Sequence, residues 1–205
     1  MYAYNNLVIG IDQSYKNTGI SLAIDGVLKS VRSIYLDKYP TNSKRREVLR
    51  THLHKLLSKA STKAEHIVCI VERARIHGGS TSFINIDAIK AMGALTATIV
   101  DVCAIYGVEV YSVDTRCWKS QVVGTSKGQH NKYGVPDEKW PTVRWLVSQG
   151  FRNSIIEDWT GQKRTKGSWT DSAGNKWHYN DDAADSAGIA MFWFVGEHNK
   201  LKEER

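Results

Sequence analysis

A mixed α/β fold is predicted for this 205-residue chain by three observations. Short strand-like runs joined by hairpin turns open the chain, apolar strands alternate with helical segments through its middle, and acidic residues stand at strand ends and on the last helix. The first run, Leu7-Val8-Ile9-Gly10-Ile11-Asp12, is apolar on both faces, as a central strand is, and ends on a bare carboxylate. Open α/β sheets present their sites at the carboxyl ends of such strands. A second strand, Ile20 to Val27, closes on the Asp25-Gly26 turn, and Ser30 to Leu36 reads as a third. Ser43 to Ala60 is predicted as a helix. Ile67-Val68-Cys69-Ile70-Val71-Glu72 then repeats the pattern of the first strand, with a second carboxylate at its end.

Ser82 to Tyr106 reads as a long helix and Val108 to Val113 as the fifth strand. Asp114 to Gly134 is polar and contains Gly and Lys, which suits a short helical turn followed by a loop. Pro136 to Gly150 is predicted as a helix, with Asp137 and Glu138 near its start and Gly150 at its stop. From about 151 to 180 the chain is rich in Trp and Lys and reads as an inserted loop or hairpin carrying Lys163, Arg164 and Lys166. The last helix runs from Asp181 to about His198 on a dense apolar surface, and the charged tail from Lys200 to Arg205 is expected to fray. The expectation is a single domain over 1–205, built on a five-stranded mixed sheet whose first three strands are antiparallel, flanked by helices.

With 28 Lys and Arg against 21 Asp and Glu, the net charge is +7 although the acids cluster in the pattern. The basic excess then lies around the acids, which suits a polyanionic substrate better than a small acidic metabolite. Three cysteines, Cys69, Cys103 and Cys117, lack metal-ligand spacing and read as reduced thiols. No signal peptide, lipidation motif or apolar run of membrane-spanning length is present, so a cytoplasmic setting without a membrane partner is expected.

Asp12, Glu72, Asp182 and Asp185 come from separate pieces of chain that this fold would bring together. Carboxylates at ~5 Å repel by about 3 kcal/mol per pair at an effective dielectric of roughly 20. Either their pKa values rise or divalent cations sit between them. Asp181 lies four residues before Asp185 and Asp182 three before, and both spacings share a helical face, so periodicity admits either.

Gly10-Ile11-Asp12-Gln13-Ser14 through Thr18-Gly19, then Ile70-Val71-Glu72, then Asp182-Ala183-Ala184-Asp185-Ser186-Ala187 resemble successive motifs of the RuvC family of Holliday-junction resolvases, within a ribonuclease H-like core. Thr115-Arg116-Cys117-Trp118-Lys119-Ser120-Gln121-Val122-Val123-Gly124 resembles that family's basic segment, with Cys117-Trp118 where the family has a proline ahead of the lysine. The resemblance implies a dimeric endonuclease that cuts four-way junctions and related branched DNA, leaving 5′-phosphates. Its implied cofactors are two Mg²⁺ ions, with Mn²⁺ as substitute, held by Asp12, Glu72, Asp182 and Asp185. It also implies Lys119 beside the scissile phosphate, and Arg73, Arg75, Arg116 and Lys127 as further DNA contacts. Its register favours Asp182 as ligand and leaves Asp181 as N-cap. The small residues Ala88, Ala91, Gly93, Ala94 and Ala97 would pair two copies across the long helix.

The loop after Glu72 lacks the family's aromatic wedge, which leaves strand separation to Ile76, Phe83 or another residue. Trp159, Trp169 and Trp177 could stack on unpaired bases or pack a hairpin. The insertion departs from the compact bacterial form and fits a mobile-element or bacteriophage-type member, acting in the cytoplasm of a bacterial cell or, if phage-encoded, of its host. The alternative reading is a nuclease of the same fold acting on structured RNA or RNA/DNA hybrid.

Overall fold

The computed structural model describes residues 2–73, 86–131, 135–151, 156–157, 163–164, 166–170 and 173–204. A six-stranded sheet forms its centre. Strands β1 (Tyr4–Asp12), β2 (Asn17–Ile24) and β3 (Val27–Tyr35) form an antiparallel meander. Asp25 and Gly26, both at positive φ (47° and 82°), make the two-residue turn from β2 to β3. Helix α1 (Asn42–Ala60), capped by the Thr41 side chain, leads to β4 (Ala64–Glu72), which lies parallel to β1. Helix α2 (Ile86–Ile105) returns the chain to β5 (Glu109–Val113), parallel to β4.

Next come α3 (Thr115–Trp118), a π turn over Lys119–Val123, and α4 (Trp140–Ser148). Two small antiparallel pairs follow, β6 (Ile156–Glu157) with β7 (Lys163–Arg164) and β8 (Gly167–Thr170) with β9 (Lys176–Tyr179). Helix α5 (Asp181–Val195), a 3-10 turn at His198–Lys200 and β10 (Lys202–Glu204) complete the order. The sheet runs β10-β5-β4-β1-β2-β3.

The sixth strand corrects the expectation of five strands and a frayed tail. β10 pairs antiparallel with β5 from Lys202↔Ser112 to Glu204↔Val110, and Ser112 Oγ donates to Glu204 Oε1 at 2.6 Å. The open edge of β5 supplies the unpaired backbone groups that a charged tail would otherwise leave to water. Helix α4 is shorter than predicted, beginning at Trp140 with Pro141 in its first turn, where a missing N–H costs nothing. Helix α5 ends earlier than predicted, at Gly196.

Alternation along the strands sorts the core into two layers. Leu7, Ile9 and Ile11 of β1 and Cys69 and Val71 of β4 pack against Leu49, Leu53 and Leu57 of α1 and Leu95 and Ile99 of α2. Val8, Val68 and Ile70 face the opposite way, onto Trp118 and onto Ile189, Ala190 and Phe192 of α5. Each such fully buried aliphatic side chain contributes roughly 1.5–3 kcal/mol. By the same alternation Asp12 and Glu72 end their strands on the α5 side of the sheet. Among the described residues no helix is long and apolar enough to cross a membrane.

Candidate active site

β1 and β4 are parallel neighbours, with Ile11 opposite Val71, so the next residues, Asp12 and Glu72, stand side by side at the carboxyl end of the sheet. Two glycines then let α5 lie directly on the strands beside them. A Cβ on Gly10 would strike the backbone of Ser186 and Ala190, and one on Gly19, the register partner of Asp12, would strike the backbone of Asp182 and Ala183. Polar contacts fasten the same helix: Ser21 Oγ lies 2.7 Å from Ser186 Oγ, and Asn180 Nδ2 donates to Ser33 Oγ at 3.1 Å. Gly19→Ala should therefore lift the start of α5 off Asp12. The expected result is a loss of about 1–3 kcal/mol in denaturant unfolding.

Asn180, not Asp181, is the N-cap of α5, its side chain accepting from Ala183 N. This corrects the role expected for Asp181, which instead lies in the first turn as an ion-pair partner. Its Oδ2 lies 3.0 Å from Lys139 Nζ and its Oδ1 2.9 Å from Lys166 Nζ. Burial alone would push the Asp181 carboxyl up, but the two lysines outweigh it and hold the group below the usual range.

Asp182 differs. Its Oδ1 faces Lys166 Nζ at 2.7 Å and its Oδ2 accepts from Asn17 Nδ2 at 2.5 Å, yet burial and the neighbouring Asp181 charge leave its pKa raised. Asp185, 5% exposed, is bracketed by Lys119 at 3.4 Å from Oδ1 and Lys139 at 3.8 Å from Oδ2. Burial dominates over both lysines and raises the Asp185 carboxyl to about 6. Asp12 is raised well above the usual carboxylate range, first by burial and then by the charges of Asp185, Glu72 and Asp182.

The structure thus brings Asp12, Glu72, Asp182, Asp185 and Lys119 of the predicted set into one electrostatically connected cluster. Arg73 is half-buried behind Glu72, its Nε 3.4 Å from Ser112 Oγ, at a cleft of about 440 Å³ shared with α2 and β10. Arg116 and Lys127 are exposed. Lys127 lies in the loop after the π turn, where its backbone N–H donates to Thr125 Oγ1 at 3.1 Å. Arg75, Ile76, Phe83 and Trp159 lie outside the described residues, as do the side chains of Lys163, Arg164, Trp169 and Trp177.

Lys139 and Lys166 were not singled out as site residues from sequence. Lys139 sits immediately before α4, and its pKa is raised because Asp185 and Asp181 overcome the effect of burial. Lys166 precedes β8, where its N–H donates to Tyr179 O at 2.8 Å, which places its ammonium over the start of α5.

Five carboxylates, those of Asp12, Glu72, Asp181, Asp182 and Asp185, therefore meet three lysines. The excess of negative charge suits a hard divalent cation with oxygen ligands, and the buried Asp185 Oδ1 has the Lys119 ammonium at 3.4 Å but no hydrogen bond. Among the described residues, however, no three acidic, histidine or cysteine groups already converge as a cation cage. Lys139 instead pairs with Asp181 and Asp185, and Lys166 with Asp181 and Asp182. The donor chemistry fits a cation, with lysines as the groups a cation would have to displace.

Two solved structures are similar to this chain over nearly their whole length. One is described as the Thermus thermophilus RuvC structure, with TM-score 0.59 and 12% identity, covering 97% of this chain and 99% of that one. The other is T. thermophilus RuvC in complex with Holliday junction substrate, with TM-score 0.60 and 10% identity, covering 98% and 100%. The fold is RuvC-like. No protein-family model matches the sequence, and no curated protein sequence matches it. At such low identity the RuvC-like assignment rests on backbone architecture, including the parallel β1-β4-β5 core and a final helix packed over β1 and β2.

Proposed function

We propose that this protein is a divalent-metal-dependent endonuclease that resolves four-way DNA junctions by paired nicks leaving 5′-phosphates. One observation carries the reading: Asp12 and Glu72 end adjacent parallel strands on the face where α5 presents Asp182 and Asp185, with lysines around them, in a RuvC-like fold. Asp12, Glu72 and Asp185 would hold the cations, with Asp182 supporting one of them. When bound, two such ions stabilise the attacking and leaving oxygens of an in-line phosphodiester displacement.

The chain's own residues supply the rest. Lys119 and Lys139, on either side of Asp185, place positive charge where a scissile phosphate gains negative charge in the transition state. Asn17 orients Asp182 through a 2.5 Å hydrogen bond. Arg73, Arg75, Arg116, Lys119 and Lys127 contact the DNA backbone, a sequence-independent role that suits recognition of branch shape.

Paired nicks require two sites, and the protein acts as a homodimer. Gly93 and Ala97 are exposed on α2 at the rim of the cleft that Arg73, Ser112 and Glu204 also line, and such small residues would let a second copy approach the helix closely. Sedimentation should report twice the chain mass.

The deciding assay incubates the protein in Mg²⁺ with a four-way junction, linear duplex, flap and RNA/DNA hybrid. Symmetric nicks in the junction, and little else, are expected. Equal cutting of all four would remove junction selectivity, and cutting of the hybrid alone would make the protein a ribonuclease. Lys166→Gln tests the lysine that competes for Asp182: it should lower the Mg²⁺ concentration for half-maximal cutting several-fold, since a partly exposed, solvent-screened ion pair is worth about 1 kcal/mol. A higher requirement would instead assign Lys166 to the DNA.

A further inference from the structure

We propose that Thr115 and Trp118 are positioning residues that hold the Glu72 carboxylate by both oxygens and tie it to the helix bearing Asp182 and Asp185. The inference rests on the reading of Glu72 as a cation ligand and extends it to the groups that aim it. Thr115 Oγ1 donates to Glu72 Oε1 at 2.8 Å, and Trp118 Nε1 donates to Glu72 Oε2 at 3.1 Å. The strand end is held as well, since Gln13 Nε2 donates to Glu72 O at 2.6 Å across from β1. A glutamate at a strand end ordinarily samples many rotamers, and ordering it costs entropy. Here two donors meet that cost in advance. Each carboxylate oxygen retains a second lone-pair direction, so the hydrogen bonds orient the group without consuming its capacity to bind a cation.

The donors are themselves placed by local sequence. Asp114 caps α3 by accepting from Arg116 N, and Thr115 and Trp118, three residues apart, fall on one helical face toward Glu72. Trp118 is fully buried, and its single polar atom, a donor only, is used on Glu72. Its ring lies over Gly188 of α5, where a Cβ would collide with the indole. Gly188 is one helical turn beyond Asp185. A continuous line of contacts therefore runs from Glu72 through Trp118 to the helix that carries the other acids. Lys119, next in sequence, has its ammonium 5.1 Å from the Trp118 ring and reaches Asp185, so the same turn orients a ligand and a cation together.

If Trp118 only filled the core, removing its N–H while keeping an aromatic ring would alter stability and leave cation affinity alone. The test is Mn²⁺ binding by calorimetry to the full-length protein without DNA, using Thr115→Val, Thr115→Ser, Trp118→Phe and Glu72→Gln. Partners that orient a metal ligand typically contribute 10–100-fold in affinity. Thr115→Val and Trp118→Phe are each expected to weaken Mn²⁺ binding about tenfold or more, with Thr115→Ser close to wild type. Should Trp118→Phe unfold, the near-isosteric Thr115 pair carries the comparison. Binding unchanged in Thr115→Val and Trp118→Phe but lost in Glu72→Gln would overturn the positioning role and leave the cation site standing. Binding that is the same in wild type and Glu72→Gln would overturn both.

Discussion

Asp12→Asn protein should bind a four-way junction in Mg²⁺ about as tightly as wild type and cut it at least about 10³-fold more slowly. The size follows from several kcal/mol of transition-state stabilisation by metal ions, at a factor of ten per 1.36 kcal/mol. Asp12 is the natural test position because it ends the strand at the middle of the cluster, where Asp185, Glu72 and Asp182 all raise its pKa. Asn keeps the shape of the side chain and removes the charge that a cation needs. Binding should survive because the proposed DNA contacts are cationic side chains at other positions, and the loss of one negative charge near a phosphate favours association. Gel-shift and cleavage measurements on the same preparation separate the two effects. Cutting at the wild-type rate would remove Asp12 from the chemistry.

The strands that carry Asp12 and Glu72 were legible because a run such as Leu7 to Asp12 needs only local pattern to be read as buried. Period-two alternation then puts both acids on one face without knowledge of the rest of the chain. Gly10 and Gly19 were legible only as motif members; their physical reason, an α5 backbone resting on the strands, is a contact across more than 160 residues. Lys139 shows where local reading ends. Nothing in its own segment separates it from Lys127, and only the packing of α4 beside α5 brings its ammonium to Asp181 and Asp185. Asn180 and Asp181 are both good capping residues, and the choice between them falls to Asn180, whose amide also reaches Ser33 on β3. The tail misled for a related reason: its charges suit solvent, but its backbone completes an open sheet edge.

Asp185→Asn should stabilise the metal-free protein at neutral and alkaline pH while removing its response to Mg²⁺. Burial raises the folded-state pKa of Asp185 from 3.8 to about 6, so the folded chain binds a proton that the unfolded chain releases. A group of this kind favours folding fully below pH ~4, and the benefit is lost as pH rises through about 6. The shift corresponds to about 3 kcal/mol at 1.36 kcal/mol per unit. Asn does not titrate and escapes the loss. In EDTA at pH 8 the variant is therefore expected to melt roughly 6 °C or more above wild type, at about 2 °C or more per kcal/mol for a chain of this size. Near pH 3, below the unfolded value of 3.8, the two curves should meet, because Asp185 is then largely protonated in both states. Adding Mg²⁺ at about 100 times its Kd should return about 2.7 kcal/mol to the wild type alone. A lower melting temperature for the variant at pH 8 in EDTA would mean that Lys119 and Lys139 already stabilise the Asp185 charge, and that no cation is needed to balance it.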